Sequence, residues 1–152
     1  MIKIIVTSIL FAASVSATAG EAVLIHLTAQ HFSGDYWNEQ NYGLGYETSR
    51  EINGHERLAG IGILKDSVGN MLPHAGFGIR LQLSDRVSAG AALTLMYRQE
   101  NILGEKVGLI VAPLPMMEVD MGRTSLVMTY LPSPRQLPTD SAAILFSFKV
   151  HL

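Results

Sequence analysis

The sequence predicts an all-β fold, an eight-stranded antiparallel up-and-down transmembrane β-barrel, and three observations carry that expectation. Apolar residues make up 48% of the chain and charged residues only 16%, yet no apolar run reaches the roughly 20 residues that a spanning helix needs. From Ala22 onward, eight segments show strand character, and the clearest of them alternate apolar and polar positions; a period of two belongs to strands. The connections between segments alternate long and short, as in barrels whose termini share one side of the membrane.

The elements follow in order. Met1 to Lys3 is a short positive start, Ile4 to Val15 is apolar, and Ala17-Thr18-Ala19 offers a small-residue cleavage site. This reads as a secretory signal. Residues 1–19 are therefore expected to be removed, and residues 20–152 to form one barrel domain, the number that 152 residues allow. Loss of Lys3 leaves ten basic against thirteen acidic residues, a formal charge of −3, which gives no electrostatic reason to bind nucleic acid. With no cysteine, no disulfide framework holds an exported chain together, and strand closure must serve instead.

The eight segments are 22–32, 42–50, 56–65, 74–83, 86–97, 106–118, 122–131 and 141–152. The second to fifth carry Gly43, Gly45, Gly60, Gly62, Gly76, Gly78 and Gly90, mostly at alternate positions. Inward glycines either leave empty volume or admit large side chains from other strands. In the fourth segment Ala75, Phe77, Ile79, Leu81 and Leu83 share one face, opposite His74, Gly76, Gly78, Arg80 and Gln82. The sixth, Val107 to Met117, is apolar on both faces, as a barrel holding a hydrocarbon chain would require, although tight filling by Met and Leu reads the same. In the eighth, Ile144, Phe146, Phe148, Val150 and Leu152 oppose Ser147, Lys149 and His151. Connections 33–41, 66–73, 98–105 and 132–140 are long, whereas 51–55, 84–85 and 119–121 are short. A soluble lipocalin-type barrel alternates similarly, but sparsely charged apolar faces and strands of about 9–11 residues suit a tilted span.

For chemistry, the chain has no Gly-x-Ser-x-Gly elbow, no phosphate-cradling loop and no metal-ligand cluster among His26, His31, His55, His74 and His151. No metal or organic cofactor is implied. The topology does gather groups at one rim. His31 ends the first segment, and Asp66-Ser67 opens the loop after the third. A histidine within reach of a serine hydroxyl can act as its base, and a carboxylate can orient the imidazole or balance its charge. Consecutive Asp and Ser serve one site only if the chain bends there; otherwise Lys65-Asp66-Ser67 is a solvated loop opening.

Leu64-Lys65-Asp66-Ser67, then Pro73 and Ala75-Gly76-Phe77-Gly78, resemble the outer-membrane lipid A palmitoyltransferase (PagP-like) family. Trp37-Asn38-Glu39 and Tyr42-Gly43-Leu44-Gly45-Tyr46 resemble its first loop and second strand, and Pro115 with Met128-Thr129-Tyr130-Leu131-Pro132 resemble its late strands. The resemblance runs from about His31 through nearly the whole remaining chain. It implies an acyltransferase that takes an acyl chain, palmitoyl-like, from a glycerophospholipid donor into the barrel and passes it to a lipid A acceptor. The family's functional His, Asp and Ser fall on His31, Asp66 and Ser67, its pocket-floor glycine on Gly78, and its lateral-gate prolines on Pro115 and Pro132. The expected setting is the outer membrane and the expected state a monomer.

The chain departs from the family at its start, where about two residues separate the expected cleavage point from the first strand and leave no counterpart of the N-terminal helix. Its first loop is shorter and lacks the family's Arg near the His. A second proline pair, at a gate between the first two strands, is replaced by His26 and Asn41. Two other readings stand beside the enzyme: a non-enzymatic small outer-membrane barrel acting at the surface or on a host, and a relative that passes the acyl group to water. An empty apolar cavity under the His31–Ser67 rim favours the enzyme, and a filled interior the structural barrel.

Overall fold

The computed structural model describes residues 20–32, 38–100, 103–132 and 141–152; the expected signal segment and most of the first and last long connections lie outside them. Its strands are β1 (Gly20–His31), β2 (Gly43–Ile52), β3 (His55–Lys65), β4 (Met71–Ser84), β5 (Val87–Glu100), β6 (Lys106–Asp120), β7 (Thr124–Leu131) and β8 (Ala143–His151). Neighbours in sequence pair antiparallel, and β8 returns to β1, closing the barrel. All eight expected segments are strands. The connection expected at 66–73 is shorter, because Met71 already pairs with Lys65. Asp66 folds that turn by accepting the Val68 and Asn70 N–H groups at 3.0 and 2.8 Å, and Gly69 supplies a φ of 97° that other residues rarely adopt.

At the opposite end the connections are tight. Asn53 and Gly54 take φ values of 55° and 75°, the left-handed pair of a two-residue hairpin whose twist matches its strands. Asp120 accepts the Gly122 N–H at 2.7 Å in the β6–β7 turn. Both ends of the barrel chain lie on this side, where the Leu152 N–H donates to the Glu21 carbonyl.

The barrel inverts the distribution of a water-soluble domain. Phe77 and Leu83 are 66% and 64% exposed, whereas Arg80, between them in sequence, is 3% exposed. Apolar residues outside and polar residues inside suit a wall that faces lipid. At the turn end the interior is filled by charge. Arg80 reaches Glu56 at 2.8 Å, Glu47 at 3.3 Å and Glu118, while Lys149 bonds Glu47 at 2.7 Å and Glu118 at 3.2 Å. Each ion is compensated, and loss of one partner in such a network costs about 3–5 kcal/mol. Toward the loop end the lining turns apolar, with Ala29, Leu64, Leu72, Ala143 and Leu145 forming the buried core. Above the ion network the barrel is hollow.

Two seams are incompletely laced. Pairing of β1 with β2 stops at His26↔Gly43, and pairing of β6 with β7 stops at Met116↔Thr129, although β6 begins ten residues earlier, at Lys106.

Candidate functional site

His31 reaches the interior because of a bulge. Ala22, Leu24 and His26 follow one another on the inner face, and strict alternation would then send Thr28 and Gln30 inward and His31 out. The register of β1 against β8 shifts between His26 and Thr28. One extra residue reverses the parity of everything beyond it, so that Ala29, 1% exposed, and His31 turn inward instead. His31 Nε2 then lies 3.1 Å from Ser67 Oγ, and the expected pairing of these residues is present.

Asp66 takes a different part from the one expected beside the imidazole. Its Oδ2 accepts a bond from Arg98 Nε at 2.9 Å, and its Oδ1 accepts the two loop N–H groups already described. The carboxylate thus braces the loop that presents Ser67. The tight turn supplies the bend that consecutive Asp and Ser require to share a site, and both border the same cavity. Sequence reasoning overlooked Arg98, although its place on β5, in step with Ala92, Thr94 and Met96, puts it on the inner face at the rim.

Asn41 is the second residue whose part was not foreseen. It is 3% exposed. Its Oδ1 accepts the Ala29 N–H at 3.1 Å, and its Nδ2 donates to the Lys65 carbonyl and to Ser67 Oγ, each at 3.1 Å. The side chain therefore laces β1 to the end of β3 where the β1–β2 ladder has stopped. His26, the other replacement at this seam, sits in mid-barrel. Its Nδ1 lies 2.8 Å from Ser147 Oγ, and its ring packs against His74 with centroids 5.5 Å apart. It is distinct from the rim pair.

Below the rim lies a cavity of about 660 Å³, within the usual range for a small-ligand pocket of about 300–1,000 Å³. Leu58, Ala92, Leu114, Met116 and Val127 wall its lower part, above the Arg80 network. Inward glycines serve both alternatives read from the sequence. A Cβ on Gly62 would stand 2.6 Å from His74 Nε2, so that this glycine makes room for an imidazole, whereas Gly60 borders the cavity and meets only Tyr46 O, at 3.2 Å, and Glu47 Cα, at 3.9 Å.

Gly78 faces inward, with Arg80 below it as expected, but it does not border the cavity. Its cross-strand neighbours Leu58 and Ala92 form the wall at that level. A Cβ on Gly78 would stand 2.4 Å from the Ala91 carbonyl oxygen; the residue is a point of close backbone approach, not open depth.

Pro132 borders the cavity, whereas Pro115 does not; Pro113, two residues before it on β6, does. Extending the β6–β7 register beyond its last pair sets Pro113 opposite Pro132. A proline has no N–H to give to a ladder, and the seam is unpaired where these prolines stand. Leu109 and Val111, 66% and 62% exposed on the outer side of β6, border the cavity together with Ala112 and Leu114 on its inner side. The cavity therefore reaches the unpaired edge of β6.

No family model matches the chain, and no curated protein matches it in sequence. Among solved structures it is similar to Ail, the attachment invasion locus protein of Yersinia pestis, solved in complex with the heparin analogue sucrose octasulfate. The two are 10% identical over 88% of this chain and 96% of that chain, with a TM-score of 0.44.

Proposed function

We propose that this protein is an outer-membrane acyltransferase that draws an acyl chain of a glycerophospholipid into the barrel and transfers it to lipid A. The observation that carries this reading is an apolar cavity lying directly beneath a serine–histidine pair and opening sideways at the β6–β7 seam. A phospholipid in the surrounding leaflet has its tails at the level of that seam and its ester near the rim, so lateral entry spares the acyl chain any passage through water. In the reaction the donor ester C–O bond breaks, the lysophospholipid oxygen takes a proton, and the acyl carbon bonds to an acceptor hydroxyl oxygen. Ser67 Oγ takes the attacking hydroxyl's proton as its own passes to His31 Nε2, which returns a proton to the leaving oxygen.

The resemblance of the Lys65-Asp66-Ser67 and Met128-Thr129-Tyr130-Leu131-Pro132 stretches to the palmitoyltransferase family supports the same reading. A non-enzymatic surface barrel is favoured by a different observation: the lacing of the β1–β2 seam by Asn41 removes one lateral opening. Mass spectrometry of lipid A from cells expressing the chain separates the readings. A gain of one acyl chain is the expected result. Loss of a chain would mean hydrolysis, and unchanged lipid A would overturn the enzyme in favour of the surface barrel.

A further inference from the structure

Asn41 fixes more than a seam, because its hydrogen bonds have only one consistent direction. The Ala29 N–H can only donate, so the amide atom facing it is the carbonyl oxygen; the Lys65 carbonyl can only accept, so the atom facing it is the amide nitrogen. Two obligate partners on opposite sides thus settle the orientation of this amide. Nδ2 carries two hydrogens, one for Lys65 and one for Ser67 Oγ at 3.1 Å. Ser67 Oγ is then an acceptor toward Asn41, and its own proton needs an acceptor elsewhere. His31 Nε2, 3.1 Å away, is that acceptor.

We infer that Asn41 is a positioning residue that turns the Ser67 proton toward His31 and holds His31 in the tautomer protonated on Nδ1, with Nε2 unprotonated and accepting from the serine. The inference deepens the function proposed above and rests on its assignment of the His31–Ser67 pair.

The test is ¹⁵N NMR of histidine-labelled barrel in detergent micelles at about pH 8, above the ordinary histidine value of about 6.5, with His31 assigned through His31→Gln. In the wild type, His31 Nε2 is expected in the unprotonated, hydrogen-bond-accepting range and Nδ1 in the protonated range. Asn41→Asp keeps an acceptor for Ala29 but replaces both donors by an anion that draws the Ser67 proton to itself. His31 is then expected to move its proton to Nε2, and kcat for acyl transfer to fall at least tenfold with KM for the donor little changed. A wild-type His31 protonated on Nε2 would overturn the inference without any variant. So would a folded Asn41→Asp barrel with an unaltered tautomer. Wild-type protein that shows the expected tautomer but transfers no acyl group would overturn the proposed function and leave this assignment standing.

Discussion

Arg98 on β5 and Asp66 at the end of β3 meet at 2.9 Å across thirty-two residues of sequence, and each side chain is only 10% exposed. The pair ties the loop that carries Ser67 to the neighbouring β5–β6 hairpin. Removing one partner leaves the other charge partly buried against a single-sided environment, so Asp66→Asn and Arg98→Met should each lower resistance to denaturant. A double-mutant cycle is expected to return a coupling of about 0.5–3 kcal/mol, the range for residues in one network. Strict additivity would mean that the contact does not brace the loop.

The rim pair and the mid-barrel histidine should separate cleanly in kinetics. Ser67→Ala and His31→Ala are expected to lower acyl transfer by about 10²–10⁴-fold, the usual contribution of a positioned base, with the heat-dependent gel shift of a closed barrel retained. His26→Ala opens space beside Ser147 and should change donor preference more than the catalytic step. The assignment fails if His26→Ala is inactive while His31→Ala works.

Chain-length selection should respond at Gly60 and not at Gly78. A methionine at position 60 has the cavity before it and only small adjustments to make against Tyr46 O and Glu47 Cα. At about 0.8 kcal/mol per excluded methylene, it should shift the preferred donor to shorter chains at comparable rate. Gly78→Met must first push the Ala91 carbonyl aside, and its expected effect is lost stability with unchanged selectivity. Comparing donor lengths for the two variants in a detergent assay decides between these positions.

The absence of cysteine permits a direct test of the lateral opening. Pro113→Cys with Pro132→Cys, joined by a short thiol-to-thiol cross-linker, should block uptake of donor presented in vesicles and regain it when a cleavable linker is cut. Full uptake by the cross-linked barrel would place lipid entry at the rim instead.

Much of this architecture is local and therefore legible in the sequence. Alternation along 74–83 puts Phe77 out and Arg80 in, and the same rule puts Ser147 and Lys149 inside β8; both hold, because side-chain direction in a strand changes at every residue whatever its neighbours. The eight strands follow from the same kind of evidence, while the short connection read at 51–55 narrows in the structure to the Asn53–Gly54 turn. Other features depend on which residues meet across the barrel. Whether a glycine leaves space or admits a neighbour turns on its cross-strand partner, which is why Gly60 is open while Gly62 faces His74 and Gly78 lies against Ala91. Asp66 finds Arg98, and Asn41 finds Ser67, only once neighbouring strands pair in register. The inward turn of His31 depends on one extra residue in β1, required by the register that β1 keeps with β8 and not by any residue type near Leu27. Since a single inserted residue exchanges the two faces of a strand, the local pattern alone would have left the histidine facing lipid, and closure of the sheet set it beside Ser67.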